Sequence, residues 1–184
     1  MLLWILLIVA AVLLLIFVSY YNRIKVLGNR VDNSWSQIDV QLKKRNDLVP
    51  NLIETVKGYA AHEKGIMTAV SEARKAMLGA QTVAEKAEAS GILTNALRGL
   101  LAIAENYPNL KANENFKLLQ EQLEGIENKI AYARQFYNDS VLEFNNKITT
   151  IPGMWIAGMM GRKQVKEYFK VTEAERQVPK VSFQ

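Results

Sequence analysis

Residues 31–77 read VDNSWSQIDVQLKKRNDLVPNLIETVKGYAAHEKGIMTAVSEARKAM, and their apolar positions recur at alternating steps of four and three. Val31, Trp35, Ile38, Leu42, Val49, Leu52, Val56, Tyr59, Ile66, Val70, Ala73 and Met77 keep this register, with Arg45 and Glu63 at its charged positions. A spacing near 3.5 residues marks a long helix packed on other helices, whereas a strand would alternate every second residue. At about 1.5 Å per residue the stretch predicts one helix of roughly 70 Å. Pro50 removes one backbone donor inside it, but the apolar phase passes through the proline, so a bend is expected there and not an end.

Downstream, Gly79 is a helix stop, and a second helix is expected over 83–106. Its stripe is Leu93, Leu97, Leu100, Leu101 and Ala104, with Gly91 and Gly99 permitting close approach of another backbone. Tyr107, Pro108 and Asn109 make a turn. A third helix over 114–150 repeats the first pattern through Phe116, Leu119, Leu123, Ile126, Ile130, Ala133, Tyr137, Val141, Phe144 and Ile148. Two long striped helices must bury their seams on each other or on further copies, so residues 31–150 are expected to form a helical bundle of segments 31–78, 83–106 and 114–150. Trp35, Ile38, Leu42, Leu52, Val56, Leu123, Ile126, Ile130 and Tyr137 are its expected packing residues. A buried Arg45 would call for a carboxylate from the third helix, with Glu127 the candidate.

Upstream, the first 21 residues carry no charged side chain. Leu2–Tyr21 supplies the roughly 20 apolar residues that a bilayer core requires, with Trp4 at one end and Tyr20 and Tyr21 at the other, where amphipathic rings prefer the interface. Leu2, Trp4, Ile8, Leu13, Phe17, Tyr20 and Tyr21 are the expected anchor contacts. A cleaved signal peptide fits less well: no basic segment precedes the run, the run is long, and no small-x-small site follows it. Asn22–Arg30 is a short basic juxtamembrane segment whose Arg23, Lys25 and Arg30 place the bulk of the chain in the cytoplasm and the N-terminus outside. The anchor is expected to continue into the bundle as one helix.

Residues 151–184 form an apolar patch and a basic tail. MWIAGMMG at 154–161 is too short to span a membrane and too apolar for an idle tail, so Trp155, Ile156, Met159 and Met160 are candidate assembly contacts. If three helices run out, back and out again, the third ends roughly 55 Å from its start, away from the bilayer, and the patch cannot reach lipid. The tail beyond Arg162, with Tyr168, Phe169 and Phe183 as isolated apolar points, is expected to be loosely ordered.

Chemistry is sparse. The 184 residues contain no cysteine and one histidine, which excludes disulfides, thiolate sites and cysteine nucleophiles. His62-Glu63 lacks the second histidine of a metalloprotease helix, since position 66 is Ile66. Glu121, Glu124 and Glu127 lack the Glu-x-x-His partners of a di-metal bundle and read as charges flanking a seam. Lys43, Lys44 and Arg45 point about 100° apart on a helix, and no aromatic interleaving accompanies them, so nucleic acid is not expected as a partner. A net charge of +5 suits a face held near anionic lipid. No enzymatic activity, cofactor, metal or small-molecule substrate is expected.

NSWSQIDVQLKKRNDLVPNLIETVKGYAAHE at 33–63, YPNLKANENFKLLQEQLEGIENKIAYARQFYND at 107–139 and Phe144-Asn145 together resemble the LemA family of bacterial membrane proteins. The resemblance implies a single N-terminal membrane helix, a cytoplasmic helical bundle and no established enzymatic activity. It leaves the biochemical role open. The expected architecture is all-α and LemA-like: a single-pass transmembrane helix continuing into an elongated antiparallel bundle in the bacterial inner membrane. Two functions compete: a homo-oligomeric scaffold that organises or shapes the membrane, and a monomeric adaptor that offers an uncovered seam to a protease or signalling partner. Both rest on the surplus of apolar stripe that a long helix leaves uncovered beside shorter ones.

Overall fold

The computed structural model describes residues 1–170, and every regular element among them is a helix. In chain order they are α1 (Leu2–Lys57), α2 (Lys64–Gly79), α3 (Val83–Ala104), α4 (Pro108–Ala112), α5 (Glu114–Thr149) and α6 (Gly153–Met159). Contacts divide the chain into two units. The first joins Met1–Gln37 to Gln135–Glu167, and the second joins Ile38–Arg134 to the segment from Tyr168.

α1 contains the uncharged run, passes through Pro50 without ending, and stops at Lys57. The single helix expected over 31–78 is therefore two helices. Residues 58–63 turn the chain back, with Ala60 N–H donating to Val56 O at 2.8 Å to close the last turn of α1. Gly58 weakens the helix locally. Side chains from far along the chain then hold the reversal: Tyr107 Oη donates to Glu63 Oε1 at 3.0 Å, and Asn113 Nδ2 donates to Tyr59 Oη at 2.9 Å.

In the second unit α2 runs back along α1, and Arg74 Nε donates to Asn46 O at 3.1 Å. α3 starts from a capping box. Thr82 Oγ1 accepts from Glu85 N–H, while Glu85 Oε2 accepts from the backbone of Gln81 and Thr82, which also holds the Glu85 carboxyl below the usual range. Gly99 of α3 admits Ile66 of α2 within van der Waals range of its backbone. Pro108 opens the short α4, and Asn113 Oδ1 accepts from Phe116 N–H at 2.9 Å to start α5. Ile38, Leu42, Val49, Val70, Leu93, Leu100, Phe116 and Ile130 are buried in this unit's core.

In the first unit residue numbers ascend on α1 as they descend on α5. Tyr20 lies against Lys147, Arg23 and Arg30 against Glu143, and Trp35 against Tyr137 with ring centroids 5.4 Å apart. Ile24, Leu27, Val31, Val141, Phe144 and Ile148 are buried here, and Ile156 and Ala157 of α6 join them. Residues 162–167 do not form the loose tail expected of them. Asn145 brackets Lys166, its Oδ1 accepting the Lys166 N–H at 2.8 Å and its Nδ2 donating to Lys166 O at 2.9 Å. Tyr137 Oη donates to Glu167 O at 2.8 Å. In the second unit Phe169, expected as an isolated apolar point, is buried, with the Arg134 guanidinium 4.8 Å from its ring centre. Phe183 and the rest of the expected tail beyond residue 170 lie outside the described residues.

Candidate membrane surface and buried polar centre

Most of the anchor residues are exposed apolar side chains. Leu2, Trp4, Ile8, Leu13 and Tyr21 are exposed, and Phe17 and Tyr20 are half-buried. An uncharged helical face of this length presented outward is fit to cross a membrane by length and composition. Tyr20 and Tyr21 end the run, and the basic side chains of Arg23 and Lys25 follow within one turn.

Of the packing residues, Ile38, Leu42, Leu52, Val56, Leu123, Ile130 and Tyr137 are buried, and Trp35 and Ile126 are half-buried. Among the described residues, most of the stripe on which both functional readings drew is covered, with Tyr59 exposed. Val31, Val49, Val70, Ala73 and Met77 are also enclosed within the chain. In the second unit α2 folds back beside α1, with Arg74 Nε on Asn46 O, and buries its own Val70, Ala73 and Met77. Apolar side chains that stay exposed on the long helices, such as Val40, Leu118, Tyr132 and Leu142, are spread along them.

Arg45 is fully buried in the second unit, and its carboxylate is Glu127. Nη1 donates to Glu127 Oε1 and to Thr94 Oγ1, both at 2.8 Å, and Nη2 donates to Ser90 Oγ at 2.9 Å. Three helices thus converge on one guanidinium. Arg45 Nε, Gln41 Oε1 and Asn46 Oδ1 are buried without a protein partner among the described residues. Ser90 falls in step with Leu93, Leu97 and Leu100, but a small hydroxyl side chain at such a position, like that of Thr94 beside it, does not by itself signal a buried partner.

Tyr137 is buried in the first unit. Burial pushes its hydroxyl up to about 12, and the nearby Glu167 and Asp32 charges push the same way. Tyr107 is raised chiefly by its hydrogen bond to Glu63. Tyr137 lies in the first unit and Tyr107 in the second. His62 is exposed in the 58–63 turn, Glu121 and Glu124 are exposed on α5, and Lys86, half-buried, pairs with Asp39.

The C-terminal patch is not where a three-helix count places it. Gly153, which opens α6, packs against Tyr20: a Cβ on it would lie 3.7 Å from that ring. Trp155 and Met159 are exposed and Met160 is half-buried, but Ile156 is turned into the core and is not available to a neighbouring copy.

The LemA family model matches residues 34–183. The chain belongs to the LemA family. The matched region takes in all of α2 to α6 and most of the non-membrane part of α1. Among relatives, it is 26% identical over 175 aligned residues to magnetosome protein MamQ of Magnetospirillum gryphiswaldense, which covers 81% of this chain and 64% of the relative. It is 25% identical to magnetosome proteins MamQ 1 and MamQ 2 of Paramagnetospirillum magneticum, over 82% of this chain and 64% of each relative. The chain thus spans about 64% of the length of these relatives. With one helix fit to cross a bilayer, this LemA-family chain is a membrane-associated helical protein.

Proposed function

We propose that this LemA-family chain is a single-pass structural protein of the bacterial inner membrane, without catalytic activity, whose copies associate to organise or shape the bilayer. The observation that carries the reading is the continuity of α1. One 56-residue helix contains the candidate span and continues without a break through the packing positions to Lys57. Within the first unit, where α5 packs on α1 from Tyr20 to Trp35, a continuous helix passes tilt from its neighbour to the span, as a flexible linker does not. An enzyme tethered for location alone has no use for that coupling.

Arg23, Lys25 and Arg30 on the exit flank favour a cytoplasmic bundle with the N-terminus outside. Contact between copies would use the exposed side of α5, where Leu118 and Tyr132 lie two heptads apart. The adaptor reading is weaker, because most of the seam it needs is covered. Relatives named as magnetosome proteins accord with a structural task in a specialised body of the cell.

The chain has no cysteine, so a single Tyr132→Cys substitution gives an unambiguous cross-linking site. Cross-linked multimers in native membranes and a large particle in mild detergent are expected. A monomer by both measures would sink the association of copies. Protease added outside intact cells should leave the region beyond Arg30 untouched, and digestion of that region would reverse the orientation.

A further inference from the structure

In the first unit the anchor, the end of α5 and α6 meet around one ring. Lys147 holds its ammonium 3.7 Å from the centre of the Tyr20 ring, and Gly153 lies close enough that a Cβ on it would be 3.7 Å from the same ring. At about 1.5 Å per residue, Leu2–Tyr20 covers roughly the 30 Å of a bilayer's hydrocarbon. With Leu2 at one face of the membrane, Tyr20 stands at the other, at the headgroup level that tyrosine favours. α6 has seven residues, so it is about 10 Å long and lies within about that distance of the headgroups.

This short helix is two-faced. Ile156 and Ala157 are 5% and 0% exposed, whereas Ile151, Trp155 and Met159 are 65%, 60% and 69% exposed. Met154, Trp155 and Met159 line an open groove of about 650 Å³ with Lys163 beside it. An apolar face of this kind left in water is costly, and here it belongs to a helix whose first residue, Gly153, lies beside Tyr20 at the end of the span. Basic side chains line the groove at Lys163 and flank the end of the span at Lys147 and Lys25. Lys25 and Lys163 are exposed and Lys147 flanks Tyr20, while Glu143, the acidic side chain nearest this end of α5, is engaged by Arg23 and Arg30.

We propose that α6 docks on the bilayer that α1 crosses: Ile151, Met154 and Trp155 enter the headgroup and upper acyl layer, and Lys25, Lys147 and Lys163 face anionic phospholipid headgroups. The inference rests on the membrane-span reading of α1. It makes the chain a two-point membrane protein, with a span and an interfacial foot beside it, so that the rotation and tilt of α1 are fixed against the membrane plane. Amphipathic elements with aromatic and basic residues bind such surfaces by the same two contributions, apolar burial and attraction to anionic lipid.

The full chain, reconstituted in phosphatidylcholine vesicles with and without phosphatidylglycerol, tests the proposal. Trp4→Phe removes the tryptophan inside the span, and subtracting the emission of Trp4→Phe/Trp155→Phe isolates Trp155. Expected are a blue-shifted Trp155 emission, its loss to lipids brominated high on the acyl chain, and deeper loss when phosphatidylglycerol is present. Emission typical of water, or blue-shifted emission that brominated lipid leaves intact, overturns the proposal; the second result assigns the patch to a second copy of the chain. Equal quenching in both vesicles removes the anionic headgroup from it. Resistance to carbonate extraction without quenching sinks the foot and keeps the span, whereas release by carbonate sinks the span and the foot together.

Discussion

Removing Glu127 should harm the protein more than removing Arg45, although the two form one ion pair. Arg45 has no exposed side-chain surface, while Glu127 keeps 31% of its own. Truncating the carboxylate in Glu127→Ala leaves a guanidinium in the core with only Ser90 and Thr94 to accept from it. Breaking a fully buried pair in this way costs about 3–5 kcal/mol, and the partial exposure of Glu127 reduces that to about 2–3 kcal/mol because water can reach the vacated position. Arg45→Met removes the charge, keeps most of the volume, and frees Glu127 to turn to solvent. It also relieves a burial that hydrogen bonding does not fully offset, since Nε has no partner among the described residues. A methionine there should fall within about 1 kcal/mol of the parent or exceed it. For a chain of this length the Glu127→Ala loss corresponds to a midpoint lowered by about 4–12 °C. Thermal and urea unfolding of the full chain in mild detergent, followed by far-ultraviolet circular dichroism, reads the difference. Adding Glu127→Ala to Arg45→Met should cost under about 0.5 kcal/mol, giving a coupling of about 2 kcal/mol in the double-mutant cycle. The reasoning is refuted if Arg45→Met loses as much as Glu127→Ala, or if Glu127→Ala costs the same in both backgrounds.

Ile38→Ala and Ile130→Ala should each cost about 2–5 kcal/mol as buried core truncations, and Lys44→Ala should stay within about 0.5 kcal/mol; equal losses in the same melts would remove the packing assignment. Gly153→Ala should cost about 1–3 kcal/mol, since its Cβ would overlap the Lys147 carbonyl and backbone cannot give way. Gly28→Ala meets chiefly the movable end of Arg162, so it should be tolerated, and a larger loss there than at Gly153 would contradict the packing of α6. Tyr137 holds its proton more tightly folded than unfolded, so the stability it adds is full below about pH 10 and is lost as pH rises towards its folded value of about 12. Tyr137→Phe should flatten that alkaline decline and the exposed Tyr132→Phe should not; an unchanged decline in the first variant would assign it to another group.

The periodic pattern made the helices legible, and it made the charged seam position legible too. Arg45 recurs in phase with Leu42 and Val49, so it has to be buried or to snorkel, and a buried guanidinium requires a carboxylate from a facing helix. Glu127 was in phase to provide it, and does so at 2.8 Å. The additional hydroxyls of Ser90 and Thr94 were not legible, because a small polar residue at the edge of a stripe reads the same whether it faces water or a hidden arginine. Ile156 was misplaced for a related reason: a run with no polar residue carries no period, so nothing in MWIAGMMG distinguishes its inward face from its outward one.

The reversal at residues 58–63 was hidden by coincidence of phase. Val56, Tyr59, Glu63 and Ile66 keep steps of three and four across it, so the count that identifies a helix is indifferent to whether the backbone continues or turns. Gly58 and Gly65 were the available local signs, and by themselves they lower helix stability by only about 1 kcal/mol each. What decides the matter is non-local: Tyr59 and Glu63 take their hydrogen bonds from Asn113 and Tyr107, some fifty positions away. The consequence reaches the other end of the chain. A chain of three long legs leaves its third helix pointing away from the start of the first, and a chain of four brings the last one home. With α2 as the extra leg, α5 ends with Lys147 over Tyr20 and α6 begins beside the same ring, where a three-leg count had placed the patch far from the anchor.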